Sequence, residues 1–182
     1  MGRDGFQMTP ISYKCLAFHL NKYSKRVKGR CADYGGAGRG GQLAKKLLAS
    51  GGVTDHHALD YKTGYDLMKP IKGEKFDMGI CMDLLEHTSN PFIVADNISN
   101  SLKKGALLFV TVPFVWAKHN HPNDYFRFSV AGLKAIFPKM KPLKCFWVTD
   151  AAEDFANIKI PYESVHWFTR VFGVFEKRRK KC

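Results

Sequence analysis

The stretch Asp33-Tyr34-Gly35-Gly36-Ala37-Gly38-Arg39-Gly40-Gly41 constrains the fold more than any other part of this chain. An apolar-leaning segment, residues 27–32, leads into it, and a helical pattern over residues 42–48 leaves it. The order reads as strand, tight turn, helix N-terminus. Glycines let the backbone turn sharply and let a ligand come close to main-chain N–H groups at the start of a helix.

The rest of the chain repeats the alternation. Thr9-Pro10 reads as an N-cap with proline at the first helical position, and Ile11, Cys15, Phe18 and Tyr23 continue an apolar stripe. Strands are expected at residues 30–34, 53–59, 76–82, 106–112 and 144–148. Helices are expected at 42–49, 91–102 and 129–137, the second closed by Lys103-Lys104-Gly105. Alternating strands and helices imply a mostly parallel sheet covered on both faces, with ligands beyond the carboxyl ends of the strands. The segment between Asp60 and Phe76 is short, so the sheet is expected to be one strand short.

With 182 residues and 45% hydrophobic content, the chain is expected to be a single domain, 1–182. No run approaches the about 18 apolar residues of a membrane span. The N-terminus carries no apolar signal core. Cys15, Cys31, Cys81, Cys145 and Cys182 form no C-x-x-C pair and read as reduced thiols of a cytoplasmic protein. The net charge of +13 favours an anionic partner such as nucleic acid, a phosphosugar or a membrane surface, although lysine for solubility accounts for it equally well.

Gly36-x-Gly38-x-x-Gly41 matches the dinucleotide fingerprint, and Asp60 closes the second strand at a distance suited to ribose hydroxyls. Asp33 argues against a dinucleotide, because a carboxylate beside a pyrophosphate repels it. S-adenosylmethionine carries an ammonium and a sulfonium, which a carboxylate attracts. Asp66-Leu67 follows the second strand, where an acidic side chain can accept from an adenine amino group. Tyr65-x-x-x-Lys69 matches a dehydrogenase spacing but comes too early in the chain for that role.

Residues 31–41, 58–60, Phe76-Asp77 through Met82-Asp83-Leu84-Leu85-Glu86-His87, and Lys103-Lys104-Gly105-Ala106-Leu107-Leu108 together resemble the class I S-adenosylmethionine-dependent methyltransferases. The resemblance covers residues 30–113 and implies a Rossmann-like fold. It implies that Asp33, Gly35, Gly36 and Gly38 hold the methionine part of the cofactor, Asp60 the ribose, and Asp66 and Leu67 the adenine, with Asp83 in the same set. S-adenosylhomocysteine would be the product. The usual D-x-G-x-G-x-G would have glycine at positions 37 and 39, where this chain has Ala37 and Arg39. His119-x-x-Pro122-x-Asp124-Tyr125-Phe126-Arg127-Phe128-Ser129 is similar to a loop in a subgroup tied to glycan and polysaccharide modification. That similarity implies O-methylation of a sugar hydroxyl.

Methyl transfer to a hydroxyl needs alignment of the acceptor and removal of a proton. His87, His119, His121 and Asp124 are the candidate bases. Each also has a structural reading: His87 packing beside Glu86, and Asp124 pairing with Arg127. Tyr125, Arg127 and Trp116 are candidate substrate contacts, whereas Phe126 is expected in the core. A divalent metal on His119-x-His121 with Asp124 or Asp83 is conceivable but not expected, since no diagnostic ligand spacing is present. An Asn/Asp-Pro-Pro-aromatic motif and a Pro-Cys nucleophile are both missing, which disfavours nucleobase methylation and leaves RNA ribose or a small molecule as alternative acceptors. A methyltransferase-like binding protein is the non-enzyme alternative.

Residues 163–175 carry apolar positions at helical spacing, followed by Lys177-Arg178-Arg179-Lys180-Lys181. A helix or last strand packed on the sheet, with a solvated tail, is the preferred reading; a membrane-bound amphipathic helix with a polybasic tail is the alternative. The sequence sets no oligomeric state.

Overall fold

The computed structural model describes residues 10–37, 39–49, 51–73, 75–119, 123–149 and 169–178. They form one six-stranded sheet, β1 (Lys28–Tyr34), β2 (Gly52–Leu59), β3 (Phe76–Met82), β4 (Leu102–Pro113), β5 (Met140–Val148) and β6 (Arg170–Lys177). The strand order is β2-β1-β3-β4-β6-β5. The first four strands run parallel, and β6 lies antiparallel to both β4 and β5.

Among the described residues, four helices cover the two faces: α1 (Pro10–Lys22), α2 (Arg39–Ala49), α3 (Pro91–Ser101) and α4 (Val130–Ile136). Period-two alternation divides the strands between them. Met78, Ile80, Leu107, Phe109, Phe172 and Val174 pack with Ile11, Leu16, Ala44 and Leu48 of α1 and α2. Cys81, Leu108, Val110, Val171 and Phe175 pack with Val94, Ile98, Leu133 and Ile136 of α3 and α4. Both faces of the central strands are buried, which explains why they read as continuous apolar runs. Tyr34 ties β1 to α3: Ser101 Oγ donates to Ile98 O, so the Tyr34 hydroxyl donates to Ser101 Oγ at 2.6 Å.

The expected architecture is present, including the reduced edge. Between β2 and β3 the described residues form a 3-10 turn, Tyr61–Thr63, and no further strand. Two expectations change and one open reading is decided. Lys103-Lys104-Gly105 is not a helix end but part of β4. Leu102 is already extended and pairs with Phe76, and the register shift beside it is accommodated at Gly105, whose φ is +81°. Residues 170–175 take the strand form of the preferred reading, a last strand packed in the sheet, because Val-Phe-Gly-Val-Phe alternates between two buried faces; residues 163–168 lie outside the described residues. In α1, Phe18 is 40% exposed, and Leu16, His19 and Leu20 complete the buried stripe. No helix among the described residues is long and apolar enough to cross a membrane. The basic tail from Arg179 onward lies outside the described residues.

Helix α2 begins three residues earlier than expected, which brings Gly41 against the glycine turn. A Cβ there would sit 1.7 Å from the Gly36 carbonyl oxygen. Gly41→Ala should therefore destabilise the protein by about 2 kcal/mol or more, despite alanine's better helix propensity. Urea unfolding checks this.

His19 is buried between Phe146 and Phe172, with ring centroids 5.3 and 4.8 Å away, and Nδ1 donates to Cys15 O. Burial holds its pKa below the ordinary histidine value. The unfolded chain then binds the proton more readily, so stability falls as pH drops through about 6.5. His19→Phe should reduce that acid-side slope by up to one proton, measured by denaturation across the pH range.

Candidate active site

The strand order reverses between β1 and β3, and a cavity of about 470 Å³ opens at their carboxyl ends. Gly35 and Leu84 meet there from the ends of β1 and β3, Asp60 arrives from β2, and the segment after β2 supplies Tyr61, Asp66, Leu67 and Met68. His87, Thr88 and Ser89 continue the wall, Val94 lies beneath it, and Asn123 and Tyr125 close it from the loop after β4. The volume lies in the range of small-molecule and cofactor sites.

Gly35 has φ +80°, and a Cβ on it would come within 2.9 Å of Leu84 Cδ1. The turn therefore needs glycine here for both conformation and space. Asp60 caps the 3-10 turn that follows β2: its Oδ1 accepts from Lys62 N at 2.9 Å, and Thr63 Oγ1 accepts from Asp60 N. Asp66 Oδ1 accepts from Met68 N, and Leu67 is pinned by Asn97 Nδ2 donating to its carbonyl.

Asp33, expected at the ligand, instead sits behind the turn. Its carboxylate is buried, meets His56 Nε2 at 3.1 Å, and does not line the cavity. Burial raises its pKa, and the nearby His56 opposes that rise. Gly36 is likewise dictated by Asp33, since a Cβ at position 36 would lie 2.1 Å from the Asp33 carboxyl carbon. Gly38 lies outside the described residues.

Asp83 also departs from expectation. Its backbone has φ +53°, and its buried carboxylate is taken by Arg170 Nη1 at 2.5 Å, Thr111 Oγ1 at 2.9 Å and Ser12 Oγ at 3.1 Å. It joins α1, β3, β4 and β6 at the same edge of the sheet as the cavity but does not line it. The Trp116 ring lies over the Arg170 guanidinium at 4.6 Å, so this expected substrate contact covers the ion pair while staying partly exposed.

The loop after β4 folds back over the turn that follows β3. Tyr125 N and Phe126 N both donate to Glu86 O, at 2.7 and 3.3 Å. Asp124 is held in a bidentate pair with Arg127, with Nη2 to Oδ2 at 2.6 Å, and accepts from His119 N at 3.0 Å. The Arg127 hydrogen bonds hold the Asp124 carboxyl well below the usual carboxylate range. That makes Asp124 a poor proton acceptor and corrects its expected role as a base. Arg127 is committed to the same pair. Phe126 is on the surface at 36% exposure rather than in the core. His121 lies outside the described residues.

His87 and His119 are brought together, with ring centroids 4.7 Å apart. His87 Nδ1 lies 2.5 Å from Asn123 O, and His119 Nδ1 lies 3.1 Å from Ala117 O. A carbonyl only accepts, so both rings carry the proton on Nδ1, and Nε2 is the basic atom of each neutral ring.

Sequence reasoning missed three residues. Glu86 was read only as a neighbour of His87, although a carboxylate following buried Leu85 was a usable signal. Arg170 is a lone cation in an apolar stretch, and His56, opposite Cys31 in the β1–β2 pairing, reaches diagonally to Asp33.

No protein-family model and no curated protein matches the chain. Solved structures do match. An S-adenosylmethionine-dependent methyltransferase from Clostridium acetobutylicum superposes with a TM-score of 0.67 at 11% identity, over 93% of this chain and 94% of that one. The N-methyltransferase NodS from Bradyrhizobium japonicum, in complex with S-adenosyl-L-homocysteine, gives 0.63 at 10% identity, over 98% and 94%. This is the Rossmann-like methyltransferase fold. The [4+2]-cyclase SpnF shares it, with a TM-score of 0.64 at 15% identity over 98% of this chain and 84% of that one, so the fold alone does not fix the chemistry.

Proposed function

We infer that this chain is an S-adenosylmethionine-dependent methyltransferase with its cofactor in the cavity at the ends of β1, β2 and β3. The observation that carries the reading is Gly35, Asp60, Asp66 and Leu67 meeting on one cavity wall. The residues fit the cofactor. Gly35 leaves space where a Cβ would intrude. Asp60 gives one carboxylate oxygen to its cap and has the other for ribose hydroxyls. Leu67, Met68, Leu84 and Val94 offer an apolar wall for an adenine ring. Asp33 acts behind the turn, shaping it rather than holding the ligand.

When bound, the sulfonium supplies an electrophilic methyl group. The chain's own part is to orient the acceptor, exclude water and take up the acceptor's proton. His87 is the basic group of the cavity wall, with His119 packed against it. We assign the acceptor as a sugar hydroxyl of a glycan or glycosylated compound. Exposed Tyr125 at 50%, with Asn123, Thr88 and Ser89 beside it, gives an aromatic face flanked by hydrogen-bonding groups, which suits a sugar ring.

The test is transfer of labelled methyl from S-adenosylmethionine to separate panels of saccharides, RNA and small amines. Label in the saccharide panel alone, reduced at least tenfold by Tyr125→Ala, supports the sugar assignment. Label in RNA alone, or in an amine, replaces it.

A further inference from the structure

Beside the cavity, Glu86, His87 and His119 each place one ligand atom within 4.8 Å of the other two. Glu86 is fully buried. Apart from its own backbone N–H, neither of its carboxylate oxygens has a hydrogen-bond partner among the described residues. Such a carboxylate is costly to keep charged unless a cation compensates it, and otherwise takes up a proton.

The two histidines are oriented as metal ligands are. Each donates Nδ1–H to a backbone carbonyl, Asn123 O for His87 and Ala117 O for His119. Such outer hydrogen bonds fix the tautomer and make Nε2 the nitrogen that would meet the ion. Glu86 Oε1 lies 3.7 Å from His87 Nε2, close to the roughly 3.4 Å ligand–ligand edge of a tetrahedral site. We propose that Glu86, His87 and His119 form a two-histidine, one-carboxylate site for a first-row divalent transition ion.

The donor set suits zinc, iron or manganese rather than calcium or magnesium, which prefer oxygen ligands. Three protein ligands leave a coordination position for an oxygen ligand, and His87 also lines the cavity. An acceptor hydroxyl bound there would lose its proton more readily. This ligand set differs from the one expected from sequence, because Asp124 and Asp83 are held by Arg127 and Arg170.

The site stands or falls independently of the cofactor, so it is tested on cofactor-free protein. After chelator treatment, Zn²⁺ is titrated calorimetrically and Co²⁺ by its visible absorption. The expected result is one ion per chain, with affinity at least tenfold weaker in Glu86→Gln and in His119→Asn. His57→Gln, on the separate Asp55–His57 pair of β2, should leave binding unchanged. Glu86→Gln removes an uncompensated buried carboxylate and is expected to fold; thermal melts of the apo variants check this, and His119→Asn supplies a second reading. No ion bound by the wild type, or binding equally strong in both variants, overturns the proposal. S-adenosylhomocysteine binding, titrated on the same samples without metal, separates that failure from failure of the cofactor reading.

Discussion

Arg170→Met should lower the unfolding free energy by about 3–5 kcal/mol, the range for breaking one side of a buried ion pair. Arg170 and Asp83 are 3% and 5% exposed in their side chains and meet at 2.5 Å. Methionine approximates the length of arginine, so the loss would come mainly from the Asp83 carboxylate left with only the Thr111 and Ser12 hydroxyls. Those two hydrogen bonds cannot replace a cation in a dry site. The double variant Arg170→Met/Asp83→Asn should recover much of the loss, because the uncompensated charge is gone. Equilibrium denaturation of the two single variants and the double variant measures the coupling. Asp83 immediately precedes the turn at residues 84–87, and Pro113 pairs with Arg170. The same variant should therefore also loosen the cavity wall.

Asp60→Ala should weaken S-adenosylhomocysteine binding at least tenfold, and up to about a hundredfold. Hydrogen bonds donated by a ligand to a charged acceptor contribute about 1.5–3 kcal/mol. The substitution also removes an N-cap, at about 1 kcal/mol of stability. Thr63→Ala separates the two effects, since it breaks the reciprocal cap at Asp60 N while keeping the carboxylate. Near-normal ligand binding in Thr63→Ala, beside a large loss in Asp60→Ala, places the effect on the ribose contact. Equal losses in both variants would mean that the turn alone matters.

Much of the fold was legible because its signals are local. The strand–glycine–helix unit, the Pro91 helix start and the buried 76–82 strand each follow from patterns within a few residues. The element at 170–177 was legible only as a helix or a last strand packed on the sheet: an apolar run such as Val171-Phe172-Gly173-Val174-Phe175 satisfies both periods, and only antiparallel pairing with β4 and β5 decides between them. At the site, Gly35, Asp60, Asp66 and Leu67 were readable because position after a strand fixes their place. The roles of Asp33, Asp83 and Asp124 were not. Each carboxylate is directed by its nearest available partner, and in these three cases that partner is His56, Arg170 or Arg127 rather than a ligand. Glu86 illustrates the converse, since only three-dimensional burial reveals that, beyond its own backbone N–H, its oxygens lack partners among the described residues.

The central claim is that the β1–β3 cavity is a site for S-adenosylmethionine. Calorimetric titration of the purified protein with S-adenosylhomocysteine, and in parallel with NAD and NADP, tests it directly. Binding of S-adenosylhomocysteine at one site, lost in Asp60→Ala, with no heat from either dinucleotide, is the predicted result. Saturable binding of NAD or NADP, with none of S-adenosylhomocysteine, would contradict it.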